Sequence, residues 1–207
     1  MEWKQIPLGP LQTNCYLFFN EEKQCLVFDP GGENVRLIDY IEGEGFQPLA
    51  VLLTHAHFDH IGAVEDVRKR WDIPVYIHQE EREWLMDPAL NGSARHPMAP
   101  VSGSPADHHI QEEGKLTIGP FEMEIFETPG HSPGSVSYYF KSMDTVLSGD
   151  ALFNGGIGRT DLLGGDHDTL IQSIHHKLFV LPEHTVVLPG HGFSTTIGNE
   201  IESNPYV

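Results

Sequence analysis

Short apolar runs closed by glycine, proline or aspartate recur along the chain and predict most of its β-strands. Each run is rich in β-branched and aromatic residues, which favour the extended conformation. Eight such runs are present: CYLFF, CLVFDPGG, LAVLLTH, IPVYIH, FEMEIFETPGH, VSYYF, TVLSGD and HTVVLPGH. Their short lengths and their turn residues indicate strands rather than helices.

Three segments between these runs show a helical period instead. Their apolar residues recur at intervals of three or four, which places them on one face of a helix. The three sets are Val35, Ile38 and Ile41; Ile61, Val64 and Val67; and Leu170, Ile174 and Leu178. Many strands with a few helices predict a layered α/β protein. No repeat or linker divides the 207 residues, so we expect one domain over residues 1–207.

Residues 87–110, DPALNGSARHPMAPVSGSPADHHI, interrupt this pattern. The segment contains four prolines and several small polar residues, and no period continues through it. Loops of this length inside a compact domain often act as lids or binding loops. A disordered surface excursion is the equal alternative, and the sequence leaves both open.

Charge and composition restrict the classes of partner. Thirty acidic against 12 basic residues give a formal charge of -18, which repels a phosphate backbone. We therefore expect no nucleic-acid partner and no anionic membrane partner. The N-terminus lacks the pattern of a signal peptide, and no run approaches the about 18 apolar residues of a membrane span, which predicts a cytoplasmic protein. Cys15 and Cys25 lie in apolar runs and are expected to be reduced and structural.

A dense group of potential metal ligands follows the apolar run LAVLL. His55 and His57 are two residues apart in an extended stretch, so both imidazoles project to one side and can bind one ion. Asp59 and His60 follow as the next helix begins and can face a second ion. Asp59 alone could be a helix N-cap. Three histidines in six residues with an aspartate among them indicate metal binding more strongly than packing.

The same design of strand, small residue and ligand occurs three more times. EIFETPGH presents His131, TVLSGD presents Asp150, and HTVVLPGH presents His191. A glycine before each of these side chains allows the backbone to turn sharply at the strand end. If the strands are neighbours, all seven side chains converge at one edge. Imidazole and carboxylate favour zinc, manganese or iron, and the cysteines lack the spacing of a structural zinc site.

These motifs resemble the signature of the metallo-β-lactamase fold superfamily. THAHFDH is similar to its HxHxDH motif, and the segments PGH, SGD and PGH at 129–131, 148–150 and 189–191 are similar to its other metal motifs. The segment GGIGRTDLLGGD and the ending TTIGNEIESNPYV resemble the compact bacterial form of the glyoxalase II-like hydrolases. The resemblance implies a four-layer αββα sandwich.

The resemblance also implies a binuclear centre with two divalent ions, zinc first, with iron or manganese as alternatives. Its ligands fall into three groups: His55, His57 and His131 for the first ion, Asp59, His60 and His191 for the second, and Asp150 as the bridge. Asp59 would also orient the attacking hydroxide. Arg159 and Phe193 stand where glyoxalase II contacts its substrate. The alternative for Arg159 is a surface ion pair with Asp161.

The leading hypothesis is a metal-dependent hydrolase that cleaves 2-hydroxyacyl thioesters with a metal-bridging hydroxide. Its partner would be a small-molecule thioester, while the acyl group, the thiol carrier and the oligomeric state stay open. The alternatives are a mononuclear iron persulfide dioxygenase and another hydrolase of the superfamily, such as a lactonase. A β-lactamase is less favoured, because those enzymes are exported and the familiar zinc type has cysteine at the position of Asp150.

Overall fold

The chain is described by a computed structural model that covers residues 1–97 and 99–207. Its contacts divide it into two compact units, Met1–Ile110 and Gln111–Val207. Each unit contains one six-stranded sheet in which parallel and antiparallel pairs are mixed. The observed elements confirm the α/β class, and the expectation of one domain stays a prediction.

The first unit consists of a mixed sheet with three α-helices among its described residues. In chain order the elements are β1 (Glu2–Leu8), β2 (Thr13–Phe19), β3 (Gln24–Phe28), α1 (Asn34–Gly43), β4 (Gln47–Leu52), α2 (Phe58–Ile61), α3 (Val64–Trp71), β5 (Val75–His78) and β6 (His108–Ile110). The strands pair in sequence order, antiparallel from β1 to β3 and parallel from β3 to β6. The carboxyl ends of β3, β4 and β5 therefore share one edge of the sheet.

Helical periodicity located the helices of this unit correctly but misplaced one buried face. Helix α1 buries Leu37 and Ile41, whereas Val35 is 66% exposed, so the predicted face is wrong at its first position. The predicted helix through Ile61, Val64 and Val67 is divided in two, although all three side chains are buried as predicted. The break lies at residues 62–63, where the backbone passes close to the loop that follows β3.

The described residues of the long segment 87–110 form a loop that ends in strand β6, and Met98 lies outside the described residues. The Asn91 side-chain amide donates to the carbonyl oxygens of Trp84, at 2.9 Å, and Val101, at 3.0 Å. The Ser104 backbone amide donates to the Glu65 carboxylate at 3.0 Å. These contacts favour an ordered loop over a disordered excursion, and the lid stays a prediction.

The second unit consists of a mixed sheet, a two-stranded hairpin and two α-helices. In chain order the elements are β7 (Gly114–Ile118), β8 (Phe121–Glu127), β9 (Val136–Phe140), β10 (Thr145–Gly149), β11 (Leu152–Phe153), β12 (Gly156–Ile157), α4 (His167–Ser173), β13 (Val186–Pro189), β14 (Thr195–Thr196) and α5 (Ile197–Ser203). The sheet order is β14-β13-β10-β9-β8-β7. Because β9 is antiparallel to β8 and β10, and β13 is parallel to β10, the carboxyl ends of β8, β10 and β13 share one edge.

The helix predicted from residues 170–178 is present in this unit and continues from α4 into a π-helical turn over Ile174–Leu178. Leu170, Ile174 and Leu178 are fully buried in one cluster with residues of β10 and β13, as their period predicts. Six strands were not predicted: β1, β6, β7, β11, β12 and β14. Most of these are very short, or carry charged side chains that conceal an apolar run.

Both cysteines are buried free thiols in strands β2 and β3, which confirms their structural role. Burial raises the pKa of Cys25 to about 12. Burial, followed by the negative charge of Asp29, raises the pKa of Cys15 well above its usual value. Both side chains therefore stay protonated near neutral pH and act as small apolar groups. Within the described residues, no helix has the length and apolar character needed to cross a membrane.

Candidate metal centre

The first unit places a compact group of histidines immediately after β4. His55 and His60 are fully buried, and His57 is nearly so. The ring centroid of His55 lies 4.8 Å from that of His57 and 4.1 Å from that of His60. A possible ligand atom of His55 lies within 4.8 Å of one on each of the other two. The three histidines therefore lie close enough together to bind cations as a set, and their role as metal ligands stays a prediction.

Hydrogen bonds fix the orientation of two of these rings. The Nδ1 atom of His60 lies 3.0 Å from Asp29 Oδ2, and the Nδ1 atom of His55 lies 3.1 Å from the Thr54 hydroxyl. A histidine that uses Nδ1 for a neighbouring polar group presents Nε2 to a metal ion, which is the usual arrangement of metal-binding imidazoles. Both rings thus have the orientation that metal binding requires.

Asp29 supports this loop, and the sequence reasoning missed it. Its carboxylate accepts hydrogen bonds from the Thr54 backbone amide at 2.8 Å and from the Thr54 hydroxyl at 2.6 Å, besides its contact with His60. The residue directly follows β3, whose carboxyl end lies at the same edge as that of β4. The sequence CLVFDPGG therefore contained a usable pattern, because its aspartate follows a buried strand in the same way as the predicted metal ligands follow theirs.

Glu81 is a second buried carboxylate beside the same loop, and it too was missed. The Ala56 backbone amide, between the first two histidines, donates to Glu81 Oε2 at 2.6 Å. Glu81 lies in a short 3₁₀ turn after β5 and is fully buried. A buried charge is rare in folded proteins unless it has polar partners. No sequence signal distinguished it from the neighbouring acidic residues in QEERE.

Asp59 is not the N-cap of its helix, so the alternative role considered from sequence does not apply. His57 occupies the N-cap position of α2, and Asp59 lies in the first helical turn. Its Oδ2 atom accepts a hydrogen bond from the Thr13 hydroxyl at 2.7 Å. The same oxygen lies 3.6 Å from His60 Nε2. The carboxylate therefore faces a neighbouring ligand rather than the end of the helix.

The second unit brings its three predicted ligands together at the shared edge of β8, β10 and β13. Asp150 Oδ2 lies 3.6 Å from His131 Nε2 and 3.5 Å from His191 Nε2. His131 and Asp150 are buried, whereas the side chain of His191 is 30% exposed. The aspartate thus stands between the two imidazoles, which is the position that a shared ligand needs.

Backbone atoms lie against both the aspartate and His131 in this unit. The Nδ1 atom of His131 lies 2.8 Å from the carbonyl oxygen of Arg159, so the ring donates there and presents Nε2. Gly158 packs so closely that a Cβ atom at its position would lie 1.8 Å from the carbonyl oxygen of Asp150. Only glycine therefore allows the chain after β12 to pass behind both ligands.

Glu200 of α5 fastens the segments that follow Asp150 and His191. Its fully buried carboxylate accepts hydrogen bonds from the Gly155 backbone amide at 2.9 Å and from the Thr195 hydroxyl at 2.6 Å. The side-chain amides of Asn199 and Asn204 donate to it at 2.9 and 2.8 Å. Four neutral donors therefore bind one carboxylate, which links the β11–β12 hairpin to the C-terminal helix.

The two predicted substrate-contacting residues are surface residues of the second unit. Phe193 is 83% exposed, two residues after His191. Arg159 forms the predicted alternative, a bidentate ion pair with Asp161 in which both hydrogen bonds are 2.7 Å long. This guanidinium lowers the pKa of Asp161 to about 2. A role for either residue in substrate binding stays a prediction.

The donor chemistry of both units fits divalent metal ions. The first unit presents three imidazoles and one carboxylate, and the second presents two imidazoles and one carboxylate. Nitrogen and oxygen donors of this kind suit zinc, manganese and iron. The cysteines stay inside the strands of the first unit and contribute no thiolate. The donor set therefore supports divalent metal binding without selecting the metal.

Comparison with known proteins gives a family match over most of the chain. The family model described as "Metallo-beta-lactamase superfamily" matches residues 8–191. A protein of Bacillus subtilis named "Probable metallo-hydrolase YqgX" is 56% identical over 100% of this chain and 98% of its own length. The "Hydroxyacylglutathione hydrolase GloC" of Haemophilus influenzae is 36% identical over 98% of this chain and 96% of its own length.

Two solved structures are also similar over nearly the full length. "BLEG-1 B3 metallo-beta-lactamase" superposes with a TM-score of 0.97 at 56% identity and covers 99% of both chains. TTHA1623 "in a di-iron-bound form" superposes with a TM-score of 0.88 at 39% identity, covering 99% of this chain and 100% of the other. Together with the family match, these similarities confirm the fold that the sequence motifs predict.

Proposed function

The chain belongs to the metallo-beta-lactamase superfamily as a metal-dependent hydrolase, and on that premise we propose that it cleaves 2-hydroxyacyl thioesters at a binuclear centre. The observation that carries this proposal is the match along almost the whole chain to a hydroxyacylglutathione hydrolase. The sequence motifs resemble the same class of hydrolase. Two well-ordered sets of nitrogen and oxygen donors supply the ligands that such a centre needs.

In this proposal the two ligand sets serve one centre. The first ion is bound by His55, His57 and His131, the second by Asp59, His60 and His191, and Asp150 is shared by both. Seven donors exceed what one tetrahedral or octahedral ion uses, which supports two ions rather than one. The arrangement of Asp150 between two imidazoles supports its role as the shared ligand.

Two bound divalent cations would lower the pKa of a bound water. Their positive charge would also stabilise the oxyanion that forms from the attacked carbonyl. The chain's own residues hold and orient this chemistry. Asp29 and the Arg159 carbonyl orient the imidazoles, and their hydrogen bonds set which nitrogen carries the proton. In this proposal Asp59 would accept a hydrogen bond from the nucleophile.

An apolar cavity beside Asp59 supports a substrate with an apolar acyl group. The cavity of the first unit has a volume of about 210 Å³ and is lined by apolar groups that include Leu8, Leu11, Phe58 and Val101, with Asp59 at its wall. Small-molecule sites typically combine such apolar walls with a few polar groups. We propose that the acyl side chain enters this cavity.

A substrate panel tests the proposal. Purified protein of known metal content is assayed with 2-hydroxyacyl glutathione thioesters, lactones, β-lactams and persulfides, and Asp150→Asn from the same preparation controls for contaminating enzymes. We expect thioester kcat/KM to exceed that of every other class by at least about tenfold, a difference of about 1.4 kcal/mol in transition-state binding. Faster turnover of another class by the metal-loaded protein would contradict the thioester proposal.

β-Lactam hydrolysis is the second candidate, because a chain that is 56% identical along its whole length is named a B3 metallo-beta-lactamase. Both reactions attack a carbonyl carbon, that of an amide in a β-lactam or that of a thioester, and they differ in the leaving group.

An iron persulfide dioxygenase is the third candidate, and the di-iron-bound relative shows that a similar chain can hold iron. Oxygen consumption with a persulfide separates this candidate from both hydrolases. All three would act on small molecules, and we propose a cytoplasmic location for the thioester activity.

A further inference from the structure

The buried hydroxyl of Thr13 has one distant hydrogen-bond acceptor among the described contacts. Thr13 is the first residue of β2, is fully buried, and pairs across the hairpin with Leu8. Its hydroxyl donates to Asp59 Oδ2 at 2.7 Å, across 46 residues of sequence. A buried hydroxyl needs an acceptor, because leaving it unpaired costs free energy. The contact joins the start of a strand to a proposed metal ligand.

The fold alone does not require a hydroxyl at this position. Valine has nearly the same shape as threonine and an equal preference for strands, so β2 could begin with either. Asp59 does not occupy the N-cap position of α2, so its carboxylate is not that of an ordinary helix-capping aspartate. The hydroxyl of Thr13 donates to this carboxylate from outside the helix.

Gly31 explains how the two side chains come together. It lies in the loop after β3, and a Cβ atom there would be 1.9 Å from the Asp59 carbonyl oxygen and 3.3 Å from Thr13 Cβ. The loop thus packs against both residues at once and holds α2 close to the start of β2. The hydrogen bond between the two side chains has the ordinary O–H···O length of 2.7 Å.

The oxygen that Thr13 binds is also the one that faces the next ligand. Asp59 Oδ2 lies 3.6 Å from His60 Nε2, so the hydroxyl binds the same carboxylate oxygen that faces His60. A carboxylate oxygen has two lone pairs, and one remains for a metal ion after the hydroxyl has bound. Residues that orient metal ligands typically contribute about 10- to 100-fold in metal affinity.

We propose that Thr13 is a positioning residue that holds Asp59 ready to bind the second metal ion together with His60. This inference rests on the proposed binuclear centre. It assigns to the β1–β2 hairpin a part in metal binding, although the hairpin itself contributes no ligand.

The test compares Thr13→Val, which removes the hydroxyl and keeps the shape, with Thr13→Ser, which keeps the hydroxyl. Metal-free protein is titrated with zinc against a competing chelator, and both dissociation constants are measured. We expect Thr13→Val to weaken the second equivalent by about 10- to 100-fold with little change in the first, and Thr13→Ser to stay within a few-fold of the wild type. Thr145→Val is the matched control, because Thr145 also begins a strand, is buried, and donates to a backbone carbonyl.

Three results would overturn the inference. In the first, Thr13→Val binds both equivalents as the wild type does; in the second, Thr13→Ser loses as much affinity as Thr13→Val. In the third, Thr13→Val weakens metal binding equally in an Asp59→Ala background, which has no side-chain acceptor for the hydroxyl, and this would show that Asp59 does not transmit the effect. The melting temperature of each metal-free variant checks the fold, and Thr13→Ala, which also lacks the hydroxyl, replaces the valine variant if that variant does not fold. A wild type that binds two equivalents but cleaves no thioester would refute the proposed substrate and leave the role of Thr13 standing.

Discussion

The two ligand sets of this protein are supported by different kinds of atoms. In the first unit, side chains hold the ligand loop: Asp29 contacts Thr54 and His60, and Glu81 binds the Ala56 amide. In the second unit, a backbone carbonyl orients His131, and a glycine allows the chain to pass closely behind Asp150. The support in the second unit therefore depends on the path of the chain more than on any one side chain near the ligands.

This difference follows from how each ligand set arises in the sequence. The first unit places all its ligands within six residues that run from the loop after β4 into α2, and neighbouring strands supply groups that shape this segment. The second unit collects one ligand from each of three strand ends, so correct sheet pairing already brings them together. Substitutions beside the ligands should therefore weaken metal binding more in the first unit than in the second.

The largest effect is expected from Asp150→Asn, which removes the proposed point where the two ligand sets meet. An amide cannot neutralise two cations, so both ions should bind more weakly and kcat/KM should fall by about 10³-fold or more. Metal analysis after gel filtration and a thioester assay measure the two effects. Full metal content with full activity would instead make Asp150 a turn residue at the end of β10.

A smaller but specific loss is expected from Asp29→Asn in the first unit. The amide cannot accept all the hydrogen bonds that Thr54 and His60 offer, so metal affinity should fall by about 10- to 100-fold. Stability of the metal-free protein should fall by about 1–3 kcal/mol. Chelator competition and urea unfolding measure these changes. Asp107→Asn is the control, because Asp107 also accepts from a backbone amide, that of Val75, at the opposite end of β5 from the ligands. Equal effects in both variants would refute a special role for Asp29.

In the second unit, Glu200→Gln should lower stability with little effect on metal binding. The substitution replaces one acceptor oxygen of the carboxylate with an NH₂ group, which then faces the groups that donate to Glu200. The free energy of unfolding should therefore fall by about 1–3 kcal/mol. The affinity for metal should change less than threefold, because sheet pairing still assembles the ligands. Urea unfolding is compared with Glu202→Gln, an exposed carboxylate on the same helix. A large loss of metal without loss of stability would remove the distinction between the two units.

The smallest effect is expected from Arg159→Ala. The variant keeps the carbonyl that orients His131, so metal content should not change. If the guanidinium binds the thiol moiety of the substrate, KM should rise several-fold with a carboxylate-bearing thioester and stay constant with a neutral one. An equal change with both substrates would leave only the ion pair with Asp161.

The ion pair of Arg159 with Asp161 also predicts a pH dependence of stability. Arg159 lowers the pKa of Asp161 from 3.8 to about 2, so the pair stabilises the folded state above pH about 4 and loses this contribution as pH falls toward 2. Because both side chains are exposed, the contribution is small. The melting temperatures of wild type and Arg159→Ala should therefore differ slightly at pH 6 and converge near pH 2. A difference that persists at pH 2 would show that another contact of Arg159 is responsible.

Sequence reasoning was sufficient where one short pattern determined the structure. A ligand that follows an apolar run and a small residue marks a strand end, so His131, Asp150 and His191 could be placed before any fold was known. Asp29 ends a strand in the same manner and could have been found by the same pattern. Thr13 and Glu81 could not, because each acts through a contact with a residue far away in the sequence.

The remaining errors have local causes. Val35 fits the apolar period of α1, but the helix turns its Leu37–Ile41 face inward and leaves Val35 exposed. The single helix predicted through Val64 is broken because Gly62 lies against the loop after β3, where a Cβ atom would be 2.4 Å from the Gly31 carbonyl oxygen. Periodicity carries no information about such close approaches of the backbone.

Metal stoichiometry tests most directly the claim that two differently supported ligand sets serve one binuclear centre. Metal-free protein is titrated with zinc, and bound metal per chain is measured by mass spectrometry of the intact protein under native conditions. One binuclear centre predicts two equivalents per chain in the wild type and loss of both in Asp150→Asn. Saturation at one tightly bound ion, unchanged in Asp150→Asn, would contradict it.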